Sequence, residues 1–416
     1  MKFAHMSDCH LGGWRDPTLQ EIGLQCFERA IDICIKEEVG FILICGDLFD
    51  TSRPAIEVLE RAVTKFKEAK DAGIKSYVIE GSHDFSPTGK TMLRVLEKAG
   101  LFVRVAKGQH TEEGKLRLAF VTDEKTGAKI TGLIGRKGAL EREIYQNLDN
   151  ESLQQETGFK IFMLHTGLDE LKPDIFRQVE SMPISLLPKG FDYYAGGHIH
   201  KQSEDNWEDY GKIVYPGPTF PADFRELERL ASGGFYIVTK SGRKLEAEWK
   251  KLDIYSVLTL GIDADGKTPK DVEGEISRRF ETSDAKGKIV LLRVEGTLAS
   301  GRPSDIDFRG LISLLTEKGA QLVKKRTSKL STKEFEEIKV SPTSRGDLED
   351  RLIREHIGQC KLGPLTSDEL VGLTKSLLKA LAEGKTLDET NKNYNERMMN
   401  SIISVLGIKD EWEKTA

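Results

Sequence analysis

FILICGD, at residues 41–47, joins an apolar run to an acidic residue. The run from Phe41 to Cys45 is apolar at every position, which is typical of a strand buried on both faces of a sheet. Asp47 follows just past the end of this run, where the chain emerges at the carboxyl edge of the sheet. Binding and catalytic groups of open α/β sheets lie at that edge. The stretch therefore predicts a functional acid at the carboxyl end of a buried strand.

Four other segments of the first half repeat this plan: FAHMSDCH at 3–10, YVIEGSHD at 77–84, IFMLHTG at 161–167 and YYAGGHIH at 193–200. The polar groups at their ends are Asp8, His10, His83, His165, His198 and His200. Asp and His together suit Mn²⁺, Fe or Zn²⁺, and one carboxylate can bridge two ions. Any one of these histidines alone is better explained as a packed core or loop residue. The repeated context favours a two-metal hydrolase.

Three histidines receive no metal role, because they have no partner at ligand spacing. His5 lies in the middle of a predicted strand, His110 in a polar loop and His356 in a charged helix. Asp84 is interpreted as an acid that forms or orients a turn.

Helical patterns separate the apolar runs of the first half. They cover Thr18–Glu37, Ala55–Ala72 and Thr91–Ala99, and Gly73 and Gly100 are candidate helix stops. Helices that alternate with buried strands predict an α/β layered fold.

The ordered motifs Asp-x-His, Gly-Asp, Gly-Ser-His-Asp, His and Gly-His-x-His resemble those of the calcineurin-like metallophosphoesterases. Within that superfamily, SDCHLGG at 7–13, GDLFDTSRP at 46–54 and GSHDFSPTGK at 81–90 are similar to the archaeal meiotic-recombination-eleven nucleases and their bacterial SbcD counterparts. The motifs lie within residues 1–235, and the remainder of the chain matches by layout rather than by letters. The resemblance implies a calcineurin-like metallophosphoesterase fold with a small α/β capping domain and a C-terminal helical hairpin.

The resemblance also implies two Mn²⁺ ions per subunit. The implied ligands form two sets that share one bridging carboxylate: Asp8, His10 and His200 for one ion, His165, His198 and Ser82 for the other, and Asp47 for both. Position 82 is usually Asn in the superfamily. A neutral hydroxyl is a poorer ligand for a hard metal than an amide carbonyl, so Ser82 is expected to bind weakly or through a water.

His83 is assigned the catalytic role by the same resemblance. It would stabilise or protonate the departing 3′ oxygen, a task that suits an imidazole, whose pKa is near neutrality. Asp50, where some relatives carry a His, and Arg53 are candidate substrate-binding residues. An exposed acid in a loop before Pro54 is an equally good interpretation of Asp50.

Composition sets the broad class of the protein. The chain has 416 residues, of which 38% are hydrophobic, and a net charge of −5, so it holds two or three domains but has no general basic character. Any affinity for nucleic acid must then come from local patches and from the metals. Five cysteines without a C-x-x-C pattern favour reduced thiols. With neither an export signal nor a membrane span recognisable, we expect a cytoplasmic, nucleoid-associated protein with no membrane partner.

The chain is divided on these patterns into a nuclease domain at 1–240, a capping domain at 245–335, a linker at 336–365 and a helix-loop-helix tail at 366–410. The capping domain shows a strand–helix–strand–helix–strand pattern. Its basic residues Lys324, Lys325, Arg326 and Lys329 could contact phosphates, or they could form a solvated edge.

Two amphipathic helices are predicted in the tail. Thr366 and Glu369 match a capping box, and apolar stripes follow at Leu370–Leu381 and at Tyr394–Leu406. By resemblance the stripes bind an SbcC-like coiled-coil ABC ATPase, and docking onto this chain is the alternative. The helix predicted at 91–99 in the first half also carries an apolar stripe. That stripe fits either a homodimer interface or burial against the chain's own sheet.

The function expected from the sequence is a Mn²⁺-dependent DNA nuclease. By resemblance it would combine double-strand exonuclease with single-strand endonuclease activity and process double-strand-break ends with its ATPase partner. One alternative is a phosphodiesterase for a small nucleotide. The other is a DNA-binding scaffold whose metal site is weakened by Ser82.

Overall fold

The computed structural model describes residues 1–86, 91–135, 140–172, 181–207, 209–333, 353–354, 357, 365–385 and 389–407. Two compact units are present. The first comprises Met1–Leu260, Thr282–Arg293 and Ile312–Arg326, and the second comprises Gly261–Glu281, Val294–Leu311 and the described residues after Arg326.

The first 251 residues contain most of the strands. They are β1 Lys2–Met6, β2 Phe41–Cys45, β3 Lys75–Ile79, β4 Val103–Arg104, β5 Gly108–His110, β6 Leu116–Leu118, β7 Val121–Thr122, β8 Lys129–Gly132, β9 Lys160–His165, β10 Gly167–Leu168, β11 Ser181–Met182, β12 Tyr193–Gly197, β13 Ser203–Asn206, β14 Lys212–Tyr215, β15 Gly234–Ser241 and β16 Lys244–Lys251. The helices among them are α1 Pro17–Lys36, α2 Ile56–Asp71, α3 Met92–Lys98, α4 Leu140–Gln146, α5 Asn150–Gln155 and α6 Phe224–Leu230.

Two six-stranded sheets organise the first unit. The first sheet has the order β16-β15-β1-β2-β3-β4. In it β1 to β4 run parallel, and β15 pairs antiparallel with both β1 and β16. The second sheet has the order β13-β14-β12-β9-β8-β7, with β14, β12, β9 and β8 parallel. The carboxyl ends of the parallel strands are the edges at which the predicted site residues emerge.

Apolar side chains fill the space between the two sheets and cover their outer faces. Phe41, Leu43 and Cys45 of β2 pack in one cluster with Ile161 and Met163 of β9, so this core joins the sheets. The alternate residues of β2 pack in a second cluster with α1, α2 and α3. The outer face of the second sheet belongs to a third cluster, which includes the helix α5. The result is a four-layer α/β/β/α arrangement in which β2 is buried on both faces, as predicted.

The helix predictions for the first half are confirmed to within one residue at each end. The residues after α2 and α3 complete hydrogen-bonded caps: Gly73 N donates to Lys70 O and Gly100 N to Glu97 O, both at 2.9 Å. Both glycines have positive φ, 74° and 71°, which explains why glycine stops these helices. Leu93 and Leu96 of α3 are buried in the chain's own core, whereas Val95 is 57% exposed.

The strand–helix–strand–helix–strand pattern predicted for the capping domain is also confirmed. Its elements are β17 Val257–Asp263, α7 Pro269–Glu281, β18 Ile289–Leu298, α8 Phe308–Glu317 and β19 Leu322–Thr332, and the strands form one sheet with the order β17-β18-β19. Where the domains begin and end stays a prediction.

Two helices form the described part of the tail, α9 Ser367–Leu381 and α10 Asn391–Leu406. Thr366 and Glu369 form the predicted capping box. Leu378, Leu381 and Leu406 of the predicted apolar stripes stay exposed, and so does Met399 of the second helix. Of the predicted linker at 336–365, only 353, 354, 357 and 365 belong to the described residues; His356 and tail residues 408–410 lie outside them. In the described part of the chain, no helix combines the length and apolarity that crossing a membrane requires.

Candidate metal centre

The loops that follow β1 and β2 run side by side at the edge of the first sheet. Asp8 N donates to Gly46 O at 3.1 Å, and His10 N donates to Asp47 O at 3.0 Å. These bonds continue the parallel pairing beyond the strands, so Asp8, His10 and Asp47 are held next to one another by backbone alone. His165, the last residue of β9, approaches from the second sheet.

Two overlapping groups of potential ligands result from this approach. Asp8, His10 and His200 offer ligand atoms within 4.8 Å of one another, and so do Asp8, Asp47 and His165. His200 Nε2 lies 3.4 Å from Asp8 Oδ1, and His165 Nε2 lies 3.1 Å from Asp47 Oδ2. Asp8 and Asp47 are almost completely buried, so their charges need close partners.

Three of the histidines present the same ring nitrogen to the centre because the protein holds the other one. Nδ1 of His10 lies 3.1 Å from Asp50 Oδ1, Nδ1 of His165 lies 2.7 Å from Cys45 O, and Nδ1 of His200 lies 2.7 Å from Glu226 Oε1. An acceptor at Nδ1 fixes the tautomer and leaves Nε2 as the ligand atom.

The donor set fits a divalent cation. The Nε2 atoms of His10 and His200 lie only 3.2 Å apart, which indicates two ligands that converge on one point. Imidazole nitrogens combined with carboxylates suit Mn²⁺, Fe or Zn²⁺. The arrangement can therefore hold metal through Asp8, Asp47 and the three Nε2 atoms.

His198 and Ser82, the other predicted ligands, lie beside these groups. His198 N donates to both carboxylate oxygens of Asp8, at 3.0 and 3.1 Å, and its ring centroid is 5.3 Å from that of His165. Ser82 occupies a turn in which His83 N donates to Asp47 Oδ1 at 2.8 Å. The backbone of His198 is thus fixed against Asp8, and that of His83, next to Ser82, against Asp47. The His198 ring belongs to none of the ligand groups that the described residues form.

His83 and Asp50 form a third group with His10 whose ligand atoms lie within 4.8 Å of one another. His83 Nδ1 lies 2.8 Å from the carbonyl oxygen of Asp50 and 3.6 Å from its Oδ1. Asp50 therefore belongs to the cluster and is not merely an exposed acid of the loop. Arg53 is exposed and takes no part in the cluster that the described residues form.

The backbone at four predicted ligands is left-handed. φ is 51° at Asp8, 42° at His10, 49° at Asp47 and 85° at His198. Non-glycine residues in this region cost about 1–3 kcal/mol each, and such strain concentrates at functional sites. Backbone hydrogen bonds from Asp8 N to Gly46 O and from His10 N to Asp47 O hold two of these loops in place.

Three glycines let the loops approach closely enough. A Cβ at Gly46 would overlap His165 Nδ1, a Cβ at Gly81 would overlap Asp47 Oδ1, and a Cβ at Gly197 would overlap the carbonyl oxygen of Cys45. Side chains at these positions would push the ligands out of place.

Two supporting acids complete the site. Asp84 accepts hydrogen bonds from Leu48 N, Phe49 N and Gly81 N at 3.0 to 3.2 Å, which agrees with an orienting role. Glu226 was missed by the sequence analysis. Asp223, three residues before Glu226, predicts the start of a helix, and α6 does begin there. This local signal does not predict that Glu226 contacts His200.

Charges within the site are strongly coupled. Burial by itself would raise the pKa of the Asp8 and Asp47 carboxyls, but the neighbouring His200 and His165 rings outweigh it and hold both pKa values below their usual range. Burial opposes protonation of His165, yet the Asp47 and Asp8 carboxylates raise its pKa to about 10. Burial and the Asp47 charge raise the pKa of Asp84 to about 7. Without metal, His165 and His200 therefore form imidazolium–carboxylate pairs with Asp47 and Asp8, and a divalent cation would replace their protons.

Comparison with known proteins agrees with this geometry. Residues 1–202 match the calcineurin-like phosphoesterase family. Three archaeal relatives carry the name DNA double-strand break repair protein Mre11. The relative from Methanocaldococcus jannaschii is 30% identical over 263 residues, which cover 61% of this chain and 67% of that protein.

The second relative, from Sulfolobus acidocaldarius, is 27% identical over 306 residues, or 72% of this chain and 76% of its own length. The third, from Methanopyrus kandleri, is 26% identical over 410 residues, which cover 93% of this chain and 84% of that protein. The similarity therefore extends well beyond the family motifs. The chain belongs to the Mre11 family of calcineurin-like phosphoesterases and is a metal-dependent phosphodiesterase.

Proposed function

We propose that the protein is a DNA nuclease of double-strand-break repair that uses two Mn²⁺ ions and combines double-strand exonuclease with single-strand endonuclease activity. The observation that carries the proposal is the convergence of three histidine Nε2 atoms on two buried carboxylates, Asp8 and Asp47. The names of the archaeal relatives supply the biological context.

We assign the ligands as two sets around Asp47. Asp8, His10 and His200 hold one ion, His165, His198 and Ser82 hold the other, and the Asp47 carboxylate serves both. The 3.2 Å separation of the His10 and His200 nitrogens supports the first set. When bound, two divalent ions activate a water for attack and neutralise charge on the phosphate.

His83 is proposed to hold the proton that the departing 3′ oxygen needs. Its Nδ1 is engaged by the carbonyl oxygen of Asp50, so the proton would leave from Nε2. The side chain of His83 is 36% exposed, which leaves room for a substrate oxygen beside it. In this proposal Asp50 holds the rings of both His10 and His83 in place, and Arg53 meets the DNA backbone outside the cluster.

The basic run of the capping domain is a weaker candidate for DNA contact than its sequence indicated. Lys324 Nζ lies 2.8 Å from Asp16 Oδ2, and Lys329 Nζ lies 3.6 Å from Glu295 Oε1. These ion pairs neutralise part of the positive charge that would otherwise attract phosphates. Recognition of double- and single-stranded DNA is therefore assigned mainly to the metal centre.

Two exposed apolar surfaces are assigned to protein partners. Leu378 and Leu381 on α9, together with Met399 and Leu406 on α10, are 40 to 54% exposed, and we propose that an SbcC-like ABC ATPase covers them. We also propose a homodimer in which the exposed Val95 on α3 lies at the interface between subunits. A cytoplasmic, nucleoid-associated location follows from a DNA substrate.

The deciding experiment is cleavage of linear duplex and single-stranded DNA with Mn²⁺, with Mg²⁺ and without metal. We expect Mn²⁺-dependent degradation that Asp47→Ala abolishes, and a gain of activity in Ser82→Asn at low Mn²⁺. Faster cleavage of a small chromogenic phosphodiester than of DNA would instead favour a small-substrate enzyme. DNA binding without cleavage would favour a scaffold.

His83→Ser separates the two roles that its position allows. If His83 is the acid, the variant keeps Mn²⁺ binding, measured by calorimetry, and loses cleavage. Loss of one bound ion would make His83 a ligand.

A further inference from the structure

Glu226 makes the closest contact of any acid to His200 among the described residues. Its Oε1 lies 2.7 Å from His200 Nδ1, and both side chains are about 15% exposed. Its Oε2 accepts a hydrogen bond from Ala222 N at 2.8 Å. With both oxygens engaged, the carboxylate has one available orientation.

The short helix α6 fixes Glu226 in this orientation. Asp223 caps the helix and accepts a hydrogen bond from Glu226 N at 2.8 Å. Leu227, the next residue, is fully buried and anchors the helix in the core. Arg229, one turn further on, donates to the carbonyl oxygen of His200 at 3.2 Å. The helix therefore contacts His200 through both its ring and its backbone.

The other two histidines have different hydrogen-bond acceptors at Nδ1. Nδ1 of His10 also faces a carboxylate, that of Asp50, whereas Nδ1 of His165 faces the neutral carbonyl of Cys45. A carboxylate behind an imidazole makes the opposite nitrogen a better donor, and its loss costs about 10–100-fold in metal affinity. One half of the centre thus has two carboxylate-backed histidines, whereas among the described residues no carboxylate contacts Nδ1 of His165.

We infer that Glu226 is a positioning residue for His200 and that it makes the half formed by Asp8, His10 and His200 the tighter of the two metal-binding halves. This inference rests on the proposed two-metal function. Glu226 lies outside the residues that match the phosphoesterase family.

The test is titration of the metal-free full-length protein with Mn²⁺, followed by the electron paramagnetic resonance signal of free Mn²⁺. Wild type is expected to bind in two steps. Glu226→Gln keeps an acceptor but removes the charge, so it should weaken the tight step about 10-fold, and Glu226→Ala should weaken it further, up to about 100-fold. The weaker step should stay close to that of wild type, because its proposed ligands do not contact Glu226.

Matched variants assign the two steps. Glu228→Gln, on the same helix, removes a carboxylate that pairs with Arg293 at 2.8 Å and should change neither step. Ser82→Asn should tighten only the weaker step.

Two results overturn the inference: a tight step unchanged in Glu226→Gln, or an equal loss in both steps. A wild type that binds no Mn²⁺ contradicts the proposed function itself. A wild type that binds a single ion, weakened by Glu226→Gln, removes the two-metal proposal and leaves the positioning role of Glu226 intact.

Discussion

At the scale of single residues, the metal centre depends on the absence of side chains as much as on their presence. Gly197 shows this most directly, because an added Cβ would overlap the carbonyl oxygen of Cys45 and lie 2.8 Å from His165 Nδ1. That oxygen is the acceptor that holds the His165 ring. A methyl group at Gly197 would therefore displace the ring of His165, a proposed metal ligand.

Gly197→Ala is expected to lower metal-dependent cleavage at least 100-fold and to weaken Mn²⁺ binding. The physical reason is that His165 must leave the Cys45 carbonyl to make room, and small displacements of catalytic groups are costly. Gly274→Ala is the control, since Gly274 lies in the helix α7 with nothing within 4 Å of an added Cβ. The control should keep full activity and gain roughly 0.5–1 kcal/mol of stability. Normal cleavage in Gly197→Ala would show that the backbone at the end of β12 can move to accommodate the methyl group.

His5 shows a histidine in a structural role. It is fully buried between the sheets, with Nδ1 2.9 Å from the Tyr193 hydroxyl and Nε2 3.1 Å from Gly196 O. The neutral ring therefore accepts from Tyr193 and donates to Gly196. Burial outweighs the contrary effects of the Gly196 carbonyl and the Asp8 charge, and lowers the pKa of His5 to about 3.

Acid should consequently destabilise the fold through His5. In the unfolded chain His5 takes up a proton near pH 6.5, whereas in the folded protein it stays neutral down to about pH 3. The contribution of neutral His5 to the free energy of unfolding is therefore complete above pH 6.5 and is lost as the pH falls towards 3. The slope is about 1.4 kcal/mol per pH unit within that window. In urea unfolding with chelator present, His5→Gln should show a free energy of unfolding whose pH slope is smaller by this amount. An unchanged slope would mean that His5 is protonated in the fold.

Local sequence predicted the residues of the centre unevenly. Asp47 and His165 were found because each ends an apolar run, a signal contained in a few neighbouring residues. Glu226 had no such signal, since its contact with His200 joins positions 26 residues apart through a turn of the fold. The left-handed backbone at Asp8 and His10 was equally out of reach, because tertiary packing imposes it.

At the scale of elements, the helices of the tail present an apolar surface that their own pairing does not cover. Leu370, Val371 and Ile403 are buried, whereas Leu381 remains 54% exposed. Two short helices have little core of their own, so the exposed leucines favour a partner surface.

Deleting the chain after Ser344 should abolish co-elution with an SbcC-like ATPase and leave Mn²⁺-dependent cleavage of DNA intact. Leu381→Asp tests the same surface with a single change, because a charge in an apolar interface is costly to desolvate. Lys379→Glu, outside the apolar stripe, is its control. If the stripe docks onto this chain instead, Leu381→Asp will lower the melting temperature and leave partner binding unchanged.

Elements with a periodic pattern and the α/β fold class were predicted well, but the order of the strands within the sheets was not predicted. The ends of α1, α2 and α3 were predicted to within one residue, because the apolar periodicity of all three and the glycine stops of α2 and α3 are local signals. The position of β15 between β1 and β16 depends on pairing across more than 200 residues. No local pattern carries that information.

At the scale of the whole molecule, the proposed ligands come from both sheets. Asp8 and Asp47 follow strands of the first sheet, and His165 and His198 belong to the second or follow it. A metal ion bound between them would therefore stabilise the docking of one sheet on the other. Unfolding of either sheet would release it.

Mn²⁺ should accordingly raise the melting temperature of the first unit in a single transition. At 100 times the dissociation constant, binding to the folded state alone adds about 2.7 kcal/mol. Differential scanning calorimetry with Mn²⁺ and with chelator measures the shift in melting temperature. Asp47→Ala, which removes the carboxylate proposed to serve both ions, should lose most of this shift. A shift of equal size in Asp47→Ala would place the stabilising ion elsewhere.

The supply of ligands by both sheets also sets the moment at which the enzyme can first act. During synthesis Asp8 and Asp47 leave the ribosome early, but His165, His198 and His200 follow more than a hundred residues later. β15, the second neighbour of β1, is made later still. A nascent or truncated chain therefore carries Asp8, His10 and Asp47 without His165, His198 and His200, so it cannot assemble the proposed metal centre.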